Sequence, residues 1–383
     1  MNSKNFHYKD GSENNLNKIF NSPDYDKDKT WYNYLDTWNM YYHLSPERKN
    51  LLNWGIFKGN NNLNVLELGS GCGAITSALV EIDEISRITC VEGETSRYEA
   101  SKIRHKHNHD KITFVNANIA DFKPDELFDA VVVIGVLEYS GKYIDHENPY
   151  LEFLNVVKKF LKPSGQLVLA IENQLGHKYL AGADEDHYQQ PFIGISDYQH
   201  YDGIRTFTKD EMISKLKKAG LPFHKFYYPF PDYKMPKVVL SEDSFKNDDF
   251  DWLTLLDLPT NQHTKRPNYN FDEKAFLNLI KKNVDPGVFM NSFLIIASAE
   301  DLNKTESKML AAKMNLTRHP NLCTIKKFNN SENGNIEVVE KHLSSGKITK
   351  SAYIKKTDNL SILLVDAIIN EDVTKVEKYL SIW

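Results

Sequence analysis

Cysteine is scarce in this 383-residue sequence, with only Cys72, Cys90 and Cys323. Three widely spaced thiols indicate neither a disulfide framework nor a zinc site, and they suit a reducing compartment. Long apolar runs are missing as well, since no stretch approaches the ~20 residues that a bilayer-spanning helix needs. The polar N-terminal residues contain no apolar signal region. We therefore expect a cytoplasmic protein without a membrane span.

A large excess of one charge is also absent. The 47 basic and 52 acidic residues give a net charge of −5, which offers no general attraction to phosphate backbones. We therefore expect no nucleic-acid partner. What is present is a hydrophobic fraction of 41%, near the average of soluble globular proteins, which excludes collagen-like and globally disordered chains.

Predicted strands and helices alternate along the middle of the chain. Apolar runs at 64–68, 87–92, 111–115, 128–134 and 165–171 are typical of buried strands, and helix-compatible stretches lie between them. This alternation predicts an α/β fold with a doubly wound parallel sheet. A later apolar run at 291–298 can supply a last strand.

The rest of the chain divides around this alternation. Residues 1–58 read as an N-terminal arm and helical cover, with an aromatic-rich segment after residue 30. Residues 59–300 form the predicted main domain, which carries a long insertion at 229–289. Residues 301–383 are predicted to be a small α+β C-terminal extension, too short for a self-sufficient domain of average size.

The glycine-rich segment VLELGSGCG at 65–73 is the most informative motif. A predicted strand ends near Glu67 and turns through Gly69, Gly71 and Gly73, with Ser70 inside the turn, so that the backbone can approach a ligand closely. Dinucleotide sites instead use the spacing G-x-G-x-x-G, and Glu67 would repel a phosphate group. The motif favours a cationic, phosphate-free ligand and disfavours an NAD-linked oxidoreductase.

Further candidate contacts follow the next three strands. Glu92 ends the second strand beside Gly93, where doubly wound folds place a carboxylate that binds ribose hydroxyls. Asn118 and Ile119 follow the third strand and could meet an adenine edge, although loop asparagines are also common turn formers. Gly135 follows the fourth strand. Because parallel strands bind ligands at their carboxyl ends, these residues predict one cofactor site.

These motifs resemble the class I S-adenosylmethionine-dependent methyltransferases. The segments VLELGSGCG, CVEGE, NANIADF and FDAVVVIGVLEY carry the resemblance. It implies S-adenosylmethionine as cofactor and a Rossmann-like sheet of seven strands, the last one antiparallel. Asn118 occupies a position where the family often has Asp. Its side chain still offers a hydrogen-bond acceptor, so that it could contact adenine. Tyr42 and Arg48 could reach over the cofactor, with Arg48 pairing its carboxylate; helix capping and solvated charge explain these residues equally well.

A narrower resemblance involves YHLSPERKNLL, IGVLEYS, AIENQLGHKYLAGADEDH, RTFTKDE and YYPFPDYKMP. These segments are similar to bacterial methyltransferases that occur with, or are fused to, glycosyltransferases of capsule and other surface-polysaccharide synthesis. The resemblance implies a saccharide or glycan acceptor and a glycosyltransferase partner. It also implies that the chain could be one piece of a longer polypeptide.

Methyl transfer to a sugar hydroxyl needs in-line alignment and a base that removes the proton. His187 is the preferred base because an ordinary histidine titrates near neutral pH. Glu138, beside the methyl group by family analogy, is the second candidate, or it orients the base. Asp186, His177 and His200 stand behind them. The acidic loop at 181–187 could hold a divalent cation, but acidic loops are usually solvated, so we predict no metal site.

The leading hypothesis is thus an S-adenosylmethionine-dependent O-methyltransferase that modifies a sugar hydroxyl. A methyltransferase acting on another small molecule remains an alternative. The chain could also be a non-catalytic scaffold that docks a glycosyltransferase. A base-modifying nucleic-acid methyltransferase is disfavoured, since no Asp/Asn-Pro-Pro-aromatic sequence follows the fourth strand.

Overall fold

The computed structural model describes residues 2–3, 8–25, 31–260, 270–302, 308–331, 333, 335–353, 364 and 367–382. The N-terminal part contains β1 (Asn2–Ser3), α1 (Glu13–Asn21) and α2 (Trp38–Leu44), with 3₁₀ helices at Trp31–Tyr34 and Pro46–Leu51. The Ser45 hydroxyl accepts the backbone N–H of Glu47 and so caps the second 3₁₀ helix. No described helix has both the length and the apolar character that crossing a membrane requires.

The middle of the chain alternates strands and helices, as the sequence predicts. In chain order the elements are β2 (Leu63–Leu68), α3 (Ala74–Val80), β3 (Ile85–Glu92), α4 (Thr95–Arg104), β4 (Ile112–Asn116), β5 (Phe128–Ile134), α5 (Ser140–Tyr143), β6 (Ile144–Asp145), α6 (Pro149–Phe160), β7 (Leu161–Glu172), α7 (His177–Leu180) and α8 (Lys209–Lys218). The short strand β6 pairs with β1 outside the main sheet.

Antiparallel strands dominate the rest. These elements are β8 (Phe223–Phe230), β9 (Val238–Ser241), α9 (Glu242–Lys246), α10 (Glu273–Asn283), β10 (Ser292–Ser298), β11 (Met309–Asn315), β12 (Thr324–Asn330), β13 (Ile336–His342), β14 (Ile348–Ala352) and α11 (Val373–Ile382). Short 3₁₀ helices occur at Leu137–Tyr139, Trp252–Leu255, Pro286–Val288 and Pro320–Leu322.

One sheet of twelve described strands organises the molecule, in the order β14-β13-β12-β11-β9-β8-β10-β7-β5-β2-β3-β4. The five strands β7, β5, β2, β3 and β4 are parallel. Strand β10 runs antiparallel to both of its neighbours, β7 and β8. The parallel strands therefore all present their carboxyl ends at one edge, where open α/β sheets bind ligands.

Apolar side chains fill both faces of the sheet. Strand β2 is buried along its whole length; Leu66 joins the core on one face and Val65 the core on the other. Such strands read as continuous apolar runs because helices cover the sheet on both sides. A third cluster joins Leu16 and Phe20 of α1 to Ala100 of α4, and it fixes the N-terminal part against the sheet domain.

The structure confirms the mixed α/β, Rossmann-like fold, but the predicted count of seven strands is wrong. Strand β9, which lies in the predicted insertion, pairs with β8 on one edge and with β11 on the other. Strands β12, β13 and β14 then continue the same sheet. An open strand edge exposes unpaired backbone groups, and the C-terminal strands satisfy them here. The domain boundaries stay predictions.

Candidate active site

A cavity of about 540 Å³ opens at the carboxyl ends of the parallel strands. Its volume lies in the usual range for small-molecule sites. It is lined by all the cofactor candidates and by the two leading base candidates from the sequence, namely Tyr42, Arg48, Glu67, Gly69, Ser70, Gly71, Glu92, Gly93, Asn118, Ile119, Gly135, Glu138 and His187. The structure thus brings all of them together, and their individual roles stay predictions.

The glycine turn after β2 is shaped by backbone angles that favour glycine. Gly69 and Gly71 have φ angles of +70° and +55°. A Cβ atom on Gly69 would lie 2.6 Å from Cγ2 of Val136. The Gly71 N–H donates to Oε2 of Glu92 at 2.8 Å, and Oε1 of Glu92 accepts the Glu94 N–H at 2.8 Å. The carboxylate therefore fastens the turn to the end of β3.

Gly69→Ala is expected to lower the free energy of unfolding in two ways. A non-glycine residue at positive φ costs about 1 kcal/mol, and the contact with Val136 adds about 1–3 kcal/mol of overpacking. Gly220→Ala is the matched control, because Gly220 has a φ of +78° with nothing within 4 Å of the added Cβ. Urea unfolding measures both variants. Equal losses in the two variants would show that the Val136 contact costs nothing.

Glu67 lies beneath the glycine turn, where it is 3% exposed. It accepts a hydrogen bond from the Thr76 hydroxyl at 2.6 Å and one from the Cys90 thiol at 3.4 Å. Burial raises the pKa of its carboxyl to about 7, although these two bonds oppose the shift. At neutral pH the carboxyl is therefore divided between its charged and neutral forms.

This raised pKa predicts a pH-dependent stability. The unfolded chain ionises Glu67 above about pH 4.5, while the folded protein keeps the proton until about pH 7. The carboxyl therefore lowers the free energy of unfolding as pH rises through this window, by about 2 kcal/mol between pH 5 and pH 8. The Glu67→Gln side chain cannot ionise. Between pH 5 and pH 8, the free energy of unfolding of wild type, measured with urea, should therefore fall by this amount relative to that of the variant. A constant difference at both pH values would contradict the assignment.

The residues after β4 adopt a turn. Oδ1 of Asn118 accepts the Ala120 N–H at 2.9 Å, which is the turn-forming role that loop asparagines often take. Among the described residues the Asn118 amide nitrogen has no hydrogen-bond partner, and the next residue, Ile119, is 8% exposed. Both residues line the cavity, as an adenine contact would require.

Arg48 is 3% exposed and spans the cavity wall. Its Nη1 donates to the Lys234 carbonyl at 2.8 Å, and its guanidinium lies 4.3 Å from the ring centroid of Tyr42. Its Nε is buried without a hydrogen-bond partner among the described residues. An unpaired buried donor at this wall fits the predicted pairing with a cofactor carboxylate better than it fits a solvated charge.

The N-terminal arm contributes cavity residues that sequence reasoning missed. Tyr8 and Asp10 line the cavity, although residues 1–29 look like a flexible arm or a loosely docked cover in the sequence. Asp10 pairs with Nε2 of His43 at 2.7 Å. Burial works against the charged form, but the His43 hydrogen bond holds the pKa of Asp10 below its usual range. The sequence carries no signal for this contact, which joins residues 33 positions apart.

Glu138 and His187 line one wall of the cavity, and the carboxylate of Glu172, the last residue of β7, lies within 4.8 Å of ligand atoms of both. Nε2 of His187 lies 3.8 Å from Oε2 of Glu172, and its Nδ1 lies 3.2 Å from the Tyr139 hydroxyl. Glu138 is 1% exposed, and burial together with the nearby Glu172 raises its pKa well above the usual value. Sequence reasoning missed Glu172, although its position at a strand's carboxyl end was a usable signal.

A buried ion network backs this wall. The Lys178 ammonium lies 2.8 Å from carboxylate oxygens of Asp186 and Asp232. Lys234 pairs with Glu172 and lies 3.1 Å from Asp186. Burial disfavours the charged form of Asp186, but the two lysines hold its pKa below the usual value. These pairs fix the loop that carries His187.

The other three candidate bases either lie outside the cavity or already form hydrogen bonds with protein groups. Asp186 is held by both lysines and by the Tyr179 hydroxyl. His177 is buried, with Nδ1 2.9 Å from the Phe289 carbonyl and Nε2 3.3 Å from the Thr260 hydroxyl. His200 is exposed. Of the histidines proposed as bases, His187 alone lines the cavity in the described part of the chain.

Comparison with known proteins gives one family match. Residues 66–167 match the family model described as "Methyltransferase domain". This match covers the glycine turn, β3, β4 and β5, which carry the predicted cofactor contacts. The chain has the class I S-adenosylmethionine-dependent methyltransferase fold. S-adenosylmethionine is the cofactor of this fold.

Two curated relatives are similar to the chain. The ubiquinone biosynthesis O-methyltransferase of Rickettsia akari is 26% identical over 156 residues, which are 40% of this chain and 59% of that protein. Its counterpart in Rickettsia bellii is 21% identical over 217 residues, 56% of this chain and 85% of that protein. The chain thus spans about three fifths of the first relative's length.

One solved structure illustrates the likeness to known methyltransferases. The N-methyltransferase NodS from Bradyrhizobium japonicum, in complex with S-adenosyl-l-homocysteine, is 22% identical; the match covers 39% of this chain and 75% of that protein, with a TM-score of 0.31.

The cavity fits S-adenosylmethionine on its own chemistry. The glycine turn exposes its backbone to a ligand. Each carboxylate oxygen of Glu92 accepts one described N–H donor and keeps a lone pair for a hydroxyl group. Nε of Arg48 is a donor without a partner among the described residues. When bound, the cofactor supplies an electrophilic methyl group. Glu92, Asn118 and Arg48 are the residues that would hold it.

Proposed function

We propose that the protein is an S-adenosylmethionine-dependent O-methyltransferase. The observation that carries this proposal is that the glycine turn, Glu92, Glu138 and His187 all line the same cavity. Binding residues and proton acceptors thus share one space, as in-line transfer to a hydroxyl requires. Oxygen as the acceptor atom agrees with the names of the curated relatives.

The chemistry balances without any further reactant. The acceptor oxygen forms a bond to the methyl carbon as the bond from carbon to sulfur breaks, and that electron pair returns to sulfur. The hydroxyl proton passes to the wall that contains Glu138 and His187. Alignment of donor and acceptor supplies most of the rate enhancement, and proton removal contributes typically ~10²–10⁴-fold.

A sugar hydroxyl of a surface glycan or its precursor is the proposed acceptor. Polar side chains at the cavity, among them Asn39 and Gln189, can bind hydroxyls, and rings such as Trp38 and Tyr139 can stack on a sugar face. The segments similar to glycosyltransferase-associated enzymes support the same acceptor. A glycosyltransferase partner and a cytoplasmic location are part of this proposal.

A phenolic acceptor is the second candidate, favoured by the names of the curated relatives. Radiolabelled methyl transfer to a panel of nucleotide sugars, oligosaccharides and dihydroxybenzenes distinguishes the two. The proposal expects base-stable label on saccharides. Methylation of the phenols alone would show that the acceptor is a phenol and not a saccharide. Binding of S-adenosylhomocysteine without transfer to any panel member would favour the non-catalytic scaffold.

A further inference from the structure

Four buried polar atoms of three side chains at the cavity wall lack hydrogen-bond partners among the described residues. They are both carboxylate oxygens of Glu138, Oε2 of Glu172 and Nε2 of His187, unpaired among the described residues. The side chains of Glu172 and His187 are 0% and 6% exposed. Buried polar atoms are nearly always paired, so a group of them in one place points to a missing ligand.

The spacing of these atoms suits a shared metal ion. One ligand atom from each residue lies within 4.8 Å of the other two. The 3.8 Å between Nε2 of His187 and Oε2 of Glu172 is too long for a hydrogen bond. Two ligands that each lie ~2.1 Å from one ion are at most ~4.2 Å apart, so the distance between these two atoms is compatible with one shared ion after small side-chain shifts within the set of three.

The charges around the wall favour a cation as well. Four carboxyl groups meet two ammonium groups there, namely those of Glu138, Glu172, Asp186, Asp232, Lys178 and Lys234. Full ionisation would leave two negative charges, which a divalent cation balances. The neighbouring set Glu172, Asp186 and Asp232 is a poorer site, because the two lysines already occupy its oxygens.

The partner of His187 also fits metal binding. Nε2 can ligate an ion only if Nδ1 carries the proton, and Nδ1 lies 3.2 Å from the Tyr139 hydroxyl oxygen, which can accept it. Ligating histidines usually donate their other ring N–H in this way. Tyr139 follows Glu138 directly in the chain, so one short segment supplies a ligand and the group that orients another.

We propose that Glu138, Glu172 and His187 bind a divalent transition-metal ion, Mn²⁺ or Zn²⁺, at the wall of the cavity. The mixed nitrogen and oxygen donors favour these ions over Mg²⁺ and Ca²⁺, which prefer oxygen. The site departs from the sequence-based expectation of no metal. It rests on the proposed function for its role: the acceptor hydroxyl takes an open position on the ion, and its proton passes to the Glu138 oxygen that does not ligate.

Manganese binding tests the site directly. Full-length protein treated with EDTA is titrated with Mn²⁺ and followed by electron paramagnetic resonance, without cofactor or acceptor. We expect one Mn²⁺ per chain, displaced by Zn²⁺. Glu138→Gln, Glu172→Gln and His187→Asn should each weaken binding at least ~10-fold, the loss that even an outer-shell contact can cause.

Exposed residues of the same types provide matched controls. Glu126→Gln and His146→Asn change exposed side chains that do not line the cavity. Both variants should bind Mn²⁺ as wild type does. Circular dichroism and S-adenosylhomocysteine binding confirm that each variant is folded. Absence of Mn²⁺ binding by wild type, or equal binding by wild type and all three wall variants, overturns the proposal.

Activity separates this inference from the proposed function. If both hold, EDTA lowers methyl transfer at least ~100-fold and Mn²⁺ restores it. If wild type transfers methyl groups equally well with EDTA and binds no Mn²⁺, the metal site fails while the O-methyltransferase proposal stands, with His187 acting directly as base. If S-adenosylhomocysteine does not bind, the proposed function fails, and the Mn²⁺ titration still decides the metal site.

Discussion

Glu92→Ala is expected to weaken the binding of S-adenosylhomocysteine at least ~100-fold. Hydrogen bonds to a charged group contribute roughly 1.5–3 kcal/mol each, and the variant would lose those to both ribose hydroxyls. It would also lose the bonds from the N–H groups of Gly71 and Glu94, which fasten the glycine turn to β3. Isothermal titration calorimetry of wild type and variant measures the change.

Two further variants make this test specific. Glu92→Gln keeps one acceptor oxygen and should lie between wild type and Glu92→Ala. Glu126→Ala removes an exposed carboxylate that pairs with Arg87, so its affinity should equal that of wild type. Equal binding by wild type and Glu92→Ala would remove Glu92 from the cofactor site.

His187→Asn and Glu138→Gln are each expected to lower kcat for methyl transfer at least ~100-fold. Both side chains line the cavity wall, and loss of proton removal typically costs ~10²–10⁴-fold. Neither residue contacts the glycine turn or Glu92 through a described hydrogen bond, so the affinity for S-adenosylhomocysteine should change less than ~3-fold. Single-turnover transfer of a labelled methyl group measures the rate, and calorimetry measures the affinity.

The comparison of rate with affinity separates a role in chemistry from a role in folding. A purely structural residue would lower both quantities or neither. His146→Asn, an exposed histidine, should leave both unchanged. Wild-type rates in both wall variants would exclude this wall as the place where the hydroxyl proton goes.

The convergence of the cofactor candidates on one cavity could be predicted because it follows from local patterns. A glycine turn after a buried strand and an acid at the end of the next strand are visible within short windows, and parallel pairing brings strand ends together. Glu172 satisfies the same rule at the end of β7, so the sequence did contain its signal. Asp10 and Lys234 carry no such signal.

Those missed residues depend on contacts between distant parts of the chain. Arg48 meets the Lys234 carbonyl across 186 residues, and this contact places the insertion beside the N-terminal cover. The pairing of β9 with β11 extends the sheet beyond seven strands. Strand β9 has only four residues, so its sequence gives too little periodicity to predict a partner.

A crystal structure of the protein with S-adenosylhomocysteine and a saccharide acceptor tests the central claim most directly. We expect the ribose hydroxyls to bind Glu92, the sulfur to face Glu138 and His187, and an acceptor hydroxyl to lie between the sulfur and that wall. A cofactor bound outside this cavity, or a sulfur that faces away from the wall, would exclude this arrangement.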